Sequence, residues 1–127
     1  MRFYKTITVP LTAGTVDYNL PTQSGLTGAT IVSIRTRRVG KTLNRQNLPT
    51  TDVFNAAFLS LRDTMQRERL DMMPLAHIEA VNIATGKGLE INIPNIDFQE
   101  SKIVIQNPDI ITTPQAVELT FEFEKQV

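Results

Sequence analysis

Apolar and polar residues alternate most regularly near the end of the chain, in the segment AVELTFEFEK at residues 116–125. Its large apolar residues have odd numbers and its glutamates even numbers, so a strand here would have one apolar and one acidic face. Chain ends usually fray, but Phe121 and Phe123 would each contribute about 1.5–3 kcal/mol if buried. The pattern therefore predicts a final strand that pairs in the centre of a sheet, with both phenylalanines between two sheets.

Shorter segments with the same period of two recur along most of the chain and predict about eight strands. In the strand predicted over residues 29–38, Val32, Ile34 and Thr36 would share one face. Pro94 would confine its strand to a sheet edge or a bulge. The other extended segments are residues 3–11, 15–21, 89–98 and 101–108. Short strands separated by turns predict an antiparallel β-sandwich or barrel, with residues 1–127 forming a single domain.

Residues 51–75, TDVFNAAFLSLRDTMQRERLDMMPL, fit two different structures. Local propensity favours a helix that begins at Asp52. Its apolar stripe would consist of Phe54, Phe58, Leu61 and Met65. A hairpin would instead turn near residues 63–68 and continue as a second strand from Arg69 to Ile78. We expect the hairpin, because the segments on both sides have the pattern of strands, and we expect a turn over residues 82–88.

A cluster of basic residues begins in the strand predicted over residues 29–38 and continues into residues 39–51, which are predicted to form a long exposed loop. No acidic residue lies between Asp17 and Asp52 to neutralise this cluster. Its members are Arg35, Arg37, Arg38, Lys41 and Arg45. They could form a solvated face, contact a partner's carboxylates or contact phosphates. The zero net charge and the lack of interleaved aromatic residues disfavour nucleic acid.

Charge is divided unevenly along the chain. Residues 1–62 carry eight basic and two acidic groups, a balance of +6, whereas residues 63–127 carry five basic and eleven acidic groups, a balance of −6. The final predicted strand contributes Glu118, Glu122 and Glu124 to the acidic half. The two halves could neutralise each other within one molecule or between subunits, where complementary charge steers association. Both alternatives are open at the level of the sequence.

Residues that carry out catalysis or bind metals are scarce. The chain has no cysteine and a single histidine, His77, and it lacks a G-x-S-x-G motif. Asp97 and Glu100 lie in a polar connection without the spacing of a calcium loop. We therefore expect no enzyme activity, no metal and no cofactor. No apolar run approaches the roughly 18 residues that span a bilayer, so we expect no membrane insertion.

Several segments within residues 17–125 read DYNLPTQSGLTGATIVSI, FLSLRD, RLDMMPLAHI, LEINIPNIDFQESKIVIQNP and AVELTFEFE. Together they resemble small single jelly-roll structural proteins of bacteriophage virions. The resemblance implies a jelly roll and a non-enzymatic capsid, vertex or head-decoration subunit. Such a subunit would be made in the host cytoplasm and assembled in the virion with copies of itself and with other virion proteins. The resemblance implies no site residues, because the family is defined by its fold.

A receptor-binding or carbohydrate-binding sandwich is the alternative function. Binding sites of that kind favour exposed aromatic residues over a shallow groove. The chain has no tryptophan, and its tyrosines are Tyr4 and Tyr18, which counts against this alternative. On the basis of the charge distribution, the candidate residues for contact with a partner are the basic cluster and the three glutamates of the final strand.

Overall fold

Eight strands, one α-helix and one 3-10 turn form the part of the chain that the structure describes. The structure is a computed structural model, and it describes residues 1–12, 14–40, 53–106 and 115–125. In chain order the strands are β1 (Arg2–Leu11), β2 (Asp17–Asn19), β3 (Ala29–Gly40), β4 (Ala57–Asp63), β5 (Glu68–Pro74), β6 (Leu89–Pro94), β7 (Ile96–Ile105) and β8 (Gln115–Lys125). Helix α1 (Leu75–Thr85) connects β5 to β6, and the 3-10 turn (Val53–Ala56) precedes β4.

The strands form two antiparallel four-stranded sheets, in the orders β1-β8-β3-β6 and β2-β7-β4-β5. β1 pairs with β8, β2 with β7, β3 with β6 and β4 with β5, as if one long hairpin had been rolled into two layers. This arrangement is the jelly-roll topology, in which two Greek keys share two packed sheets. It confirms the predicted all-β sandwich and its antiparallel pairing.

β8 lies in the centre of the first sheet, between β1 and β3. Its odd-numbered side chains, from Val117 to Phe123, point inward and are fully buried. The rings of Phe121 and Phe123 lie 5.1 Å and 6.3 Å from the ring of Phe98 on β7, measured between centroids. These contacts join the two sheets, so the predicted central position of the final strand is confirmed.

The hairpin expected within residues 51–75 is present as β4 and β5, and the alternative, an α-helix beginning at Asp52, is not found over the described residues from Val53 on. The second strand does not continue to Ile78, however, because it ends at Pro74 and α1 begins at Leu75. Proline interrupts a strand ladder but is tolerated where a helix starts. Gly86, at a φ of 70°, ends the helix, so the turn predicted over residues 82–88 begins only after Thr85.

α1 closes the side of the sandwich where the edge strands β5 and β6 lie. Leu75 and Ile78 are its buried residues. On the same face of the helix, at i, i+3 and i+7 spacing with these two residues, Asn82 lies against β3 beyond the last residue that pairs with β6. The backbone N–H of Thr36 donates to Asn82 Oδ1 at 3.0 Å, and Asn82 Nδ2 donates to the carbonyls of Ile34 at 3.4 Å and of Lys87 at 3.0 Å. One helical side chain thus takes over hydrogen bonds that a neighbouring strand would make.

A β-bulge in β3 changes which of its residues share a face. Ile31 pairs with Phe123, whereas Ser33 pairs with the adjacent Glu122, so Val32 is an extra residue in the ladder. The prediction that Val32, Ile34 and Thr36 share one face is therefore wrong at Val32. The bulge keeps Ile34 buried while it places Ser33 beside Glu122 on the outer face of the sheet.

The turn between β4 and β5 is organised by the buried carboxylate of Asp63. Asp63 Oδ1 accepts hydrogen bonds from the backbone N–H groups of Met65 at 2.9 Å and of Arg67 at 3.0 Å. Its Oδ2 atom accepts a hydrogen bond from Arg67 Nε at 3.0 Å. The backbone N–H of Arg67 is the largest of the influences that lower the pKa of Asp63.

The stability of the fold should therefore depend on the ionisation of Asp63. Its pKa is lowered in the folded state, so its stabilising contribution is complete above its unfolded pKa of about 3.9 and is lost as the pH falls through the lower folded value. We expect Asp63→Asn to be less stable at pH 7 and to lose less stability between about pH 4 and pH 2. Thermal unfolding followed by circular dichroism across this range measures both effects. Parallel pH profiles for the two proteins would contradict this assignment.

Candidate functional site

The outer face of the first sheet brings together predicted contact residues from both halves of the chain. The even-numbered side chains of β8 point outward, which places Glu118, Glu122 and Glu124 along the middle of this face. In the paired registers, Arg37 on β3 lies opposite Glu118, and Arg2 on β1 lies opposite Glu124. The insertion of β8 between two strands of the basic half thus sets opposite charges side by side.

These charges form ion pairs within one molecule. Arg37 Nη2 lies 2.9 Å from Glu118 Oε2, and the Arg2 guanidinium lies 3.4 Å from Glu122 Oε1 and 3.8 Å from Glu124 Oε2. Exposed pairs of this kind contribute about 0–1 kcal/mol each. Their main effect is therefore to fix the positions of the charged groups. Each of the three glutamates of the final strand is thus paired with an arginine of the same molecule.

The remaining predicted residues are distributed differently. The Arg35 side chain donates from Nη2 to the carbonyl of Gly86, after α1, at 3.2 Å. Arg38 lies in β3 opposite Val117. Lys41 and Arg45 lie outside the described residues. Of the loop predicted over residues 39–51, residues 39 and 40 belong to β3, and residues 41–51 lie outside the described residues.

Glu122 is the centre of a cluster that the sequence did not predict. The Tyr4 hydroxyl donates to Glu122 Oε2 at 2.7 Å, and the Ser33 hydroxyl donates to Oε1 at 3.3 Å. The hydrogen bond to this carboxylate, together with its negative charge, raises the pKa of Tyr4. Tyr4 is nevertheless 62% exposed. Its hydroxyl is thus fixed at one end, while much of its side chain remains open to solvent.

A groove of about 450 Å³ lies beside this cluster, where the start of β6 meets β3. Val32 and Ile91 give it an apolar part, and Lys87 and Glu90 add charged groups to its lining. Gly88 is required for the close approach of β6, because a Cβ atom at this position would lie 2.8 Å from Ser33 Oγ. The bulge at Val32 and the glycine at position 88 together shape the groove.

Two other grooves contain none of the predicted contact residues. One, of about 540 Å³, lies at an end of the sandwich and is lined by residues 22–28, Thr64 and residues 95–98. Its carboxylate, Asp97, accepts a hydrogen bond from the backbone N–H of Gln99 at 3.1 Å. The other, of about 400 Å³, lies on the second sheet and includes Glu100. The groove beside Tyr4 is therefore the candidate functional site.

The residues considered for metal binding do not converge. His77 is exposed on α1, whereas Asp97 and Glu100 lie on β7. Within the described ranges, no three His, Cys, Asp or Glu side chains are grouped closely enough to hold a metal ion. The described part of the chain also contains no helix with the length and apolar character needed to cross a membrane.

The chain matches no family model, no curated protein and no solved structure in comparisons with known proteins.

Proposed function

We propose that this protein is a structural subunit of a bacteriophage virion, in a capsid, vertex or head-decoration position, and that it acts through contacts with copies of itself and with other virion proteins. The observation that carries the proposal is the strand order β1-β8-β3-β6 over β2-β7-β4-β5. Jelly rolls of this kind build viral capsids, and they also occur in lectins and cupins. The resemblance of residues 17–125 to phage jelly-roll proteins favours the virion among these roles.

The free edge of β1 is a surface suited to assembly. Met1 and Lys125 exchange backbone hydrogen bonds of 3.1 Å and 2.9 Å. In an antiparallel ladder every second residue forms such a pair, so the odd-numbered residues of β1 direct their N–H groups toward β8. The backbone N–H groups of Arg2, Tyr4, Thr6 and Thr8 therefore point away from β8. No strand among the described residues pairs with this side of β1. An open strand edge of this length is a template for pairing with a second chain.

The β1 strands of two copies can pair in an antiparallel arrangement through their outward N–H and C=O groups. With the two-fold axis at Thr6, Tyr4 faces Thr8 of the second copy and Arg2 faces its Pro10, so the two arginines lie at opposite ends. Pro10 has no N–H to donate and would mark the end of the ladder. Lys5 lies half-buried on the inward side of the same strand. An inward charge and an edge proline both restrict unspecific pairing, which favours a single matched contact.

We expect the protein to form oligomers that Thr6→Pro weakens and Thr6→Val preserves. Proline removes the outward N–H, at an edge where proline is tolerated, whereas valine keeps it. Both variants lose the hydroxyl contact between Thr6 and Thr120 at 3.1 Å. A difference between them in assembly therefore reports on the backbone N–H of residue 6. Loss of one hydrogen bond from each copy should raise the dissociation constant about 10–100-fold. Light scattering across protein and salt concentrations gives the mass, and we expect little salt dependence because the contact is made by backbone groups.

Three results would count against the β1 contact or against the role in the virion. A wild-type protein that stays monomeric at high concentration, or a Thr6→Pro variant that assembles like the wild type, would overturn the β1 contact. The role in the virion is tested by quantitative mass spectrometry of purified particles, where we expect this chain in stoichiometric amounts. Its absence from the particles would overturn the proposed function.

A further inference from the structure

Two cations in the groove beside Tyr4 lack acidic partners in the described part of the chain. No carboxylate of that part forms an ion pair with Lys87, and the Arg35 guanidinium donates to a backbone carbonyl, that of Gly86. Arg37, two residues along the same strand, is instead paired with Glu118 at 2.9 Å. Arg35 and Lys87 are thus available to an external anion, whereas Arg37 and Arg2, which also lines the groove, are already paired with glutamates.

The other groups in the groove suit a polyhydroxylated ring. Tyr4 offers an aromatic side chain that is 62% exposed and whose hydroxyl is fixed by Glu122. Val32 and Ile91 add apolar surface, and the exposed carboxylate of Glu90 can accept hydrogen bonds from hydroxyl groups. Sugars have both apolar C–H faces and hydroxyl edges, so they match this mixture of an aromatic platform and charged acceptors.

We propose that this groove binds a carboxylated sugar unit of a glycan. The sugar carboxylate would lie against Arg35 and Lys87, because a guanidinium binds carboxylates through paired N–H donors and a lysine adds a second positive charge. The ring would pack on Tyr4, and its hydroxyls would donate to Glu90. The volume of about 450 Å³ is within the range of small-molecule sites.

The composition of the groove favours a glycan over a protein partner. The cores of protein–protein interfaces are depleted of charged residues and close-packed. This groove instead has five charged residues around a small apolar part: Arg2, Arg35, Lys87, Glu90 and Glu122. A hydrated ligand that hydrogen-bonds to charged groups is compatible with such a surface. The inference does not depend on a role in the virion, and binding can be measured in any oligomeric state.

The proposal is tested by NMR titration of the ¹⁵N-labelled protein with galacturonate, and with galactose as the matched sugar that lacks the carboxylate. We expect galacturonate to shift the resonances of residues that line the groove, with a dissociation constant on the order of 1 mM for a single sugar unit. Galactose should bind at least about tenfold more weakly, since it lacks the charge-assisted hydrogen bonds. Acetate, which has the carboxylate without the ring, should also bind at least about tenfold more weakly.

Four variants assign the roles of the side chains. Arg35→Gln combined with Lys87→Gln should weaken galacturonate binding at least about tenfold. Arg37→Gln is the matched control, because it removes a positive charge from the same face outside the groove and should leave binding unchanged. Tyr4→Ala should also lose binding, whereas Tyr4→Phe, which keeps the ring, should retain it.

The proposal is overturned if galacturonate causes no shifts in the groove at about fifty times the expected dissociation constant. Equal binding of galactose would refute recognition of the carboxylate, and equal binding of acetate would refute recognition of the sugar ring. An equal loss of affinity for galacturonate in Arg37→Gln and in the double variant would show that binding depends on the overall charge of this face and not on the two cations in the groove. Each variant's circular dichroism spectrum and unfolding midpoint confirm that it is folded before binding is compared.

Discussion

Replacing Phe121 with alanine is expected to lower the free energy of unfolding by about 3–5 kcal/mol. Its ring is fully buried at the centre of β8 and packs edge-on against Phe98 of the opposite sheet, at 5.1 Å between centroids. Truncation would remove the contacts that join the two sheets and leave a cavity that the surrounding strands cannot fill. Since domains are stable by about 5–15 kcal/mol, the variant should be marginally folded at 25 °C. Urea unfolding followed by far-UV circular dichroism measures the loss.

Phe3→Ala is the matched control for this effect. Phe3 also contacts the aromatic cluster, with its ring stacked on Phe123 at 5.2 Å, but it is half-buried on the edge strand β1. Water can reach the space that its side chain leaves, so we expect a loss of about 1–2 kcal/mol. If Phe3→Ala destabilised the protein as much as Phe121→Ala, the centre of β8 would not be the main junction between the sheets.

Asn82→Ala is expected to cost about 1–3 kcal/mol, a large effect for a partly exposed polar residue on a helix. The substitution removes the acceptor for the backbone N–H of Thr36 and the donor to the carbonyls of Ile34 and Lys87. These backbone groups lie at the end of the β3–β6 pairing, where no strand replaces the lost partner in the described part of the chain. Chemical unfolding measures the cost.

Two further variants separate the hydrogen bonds of Asn82 from its position on the helix. Asn82→Asp keeps the acceptor for Thr36 but loses both donated bonds. Its free energy of unfolding should therefore fall between those of the wild type and the alanine variant. Ile83→Ala changes the next residue, which is 77% exposed, and should alter stability by less than about 0.5 kcal/mol. Equal effects of Asn82→Ala and Ile83→Ala would contradict the proposed contact with β3.

The sheet architecture follows from patterns that are local in the sequence. The alternation at residues 116–125 predicted both the strand and the burial of Phe121 and Phe123, because side chains in a strand point to opposite faces in turn. Pro94 likewise indicated an edge or a bulge, and β6 is an edge strand with a shifted register. The hairpin of β4 and β5 was predicted from its neighbours although local propensity favoured a helix, since pairing in a sheet overrides weak propensities.

α1 was missed because its sequence lacks the usual sign of a surface helix. Its buried residues are Leu75 and Ile78, whereas Ile83 is exposed, so no apolar stripe runs along it. Pro74 before the helix and Gly86 after it were the available signals. The bulge at Val32 could not be predicted, because it depends on how β3 pairs with two strands that are distant in the sequence.

The candidate site was predicted only in part for the same reason. The sequence identified Arg35 and Glu122 by their charges, but their placement follows from the insertion of β8 between β1 and β3. Tyr4 and Ser33 gave no local signal, since their link to Glu122 depends on the registers of both ladders. Lys87 was not singled out, although the two glycines around it indicate a tight connection before β6.

The central position of β8 also has consequences for how the molecule folds. The hydroxyls of Thr6 and Thr120 meet although they are 114 residues apart in the chain. β8 is synthesised after the other seven strands, so β1 and β3 stay separated, each with an open edge, until it arrives. Topologies dominated by such distant contacts fold slowly and expose strand edges while they do so. Until β8 pairs, the open edges of β1 and β3 therefore favour premature association during biosynthesis.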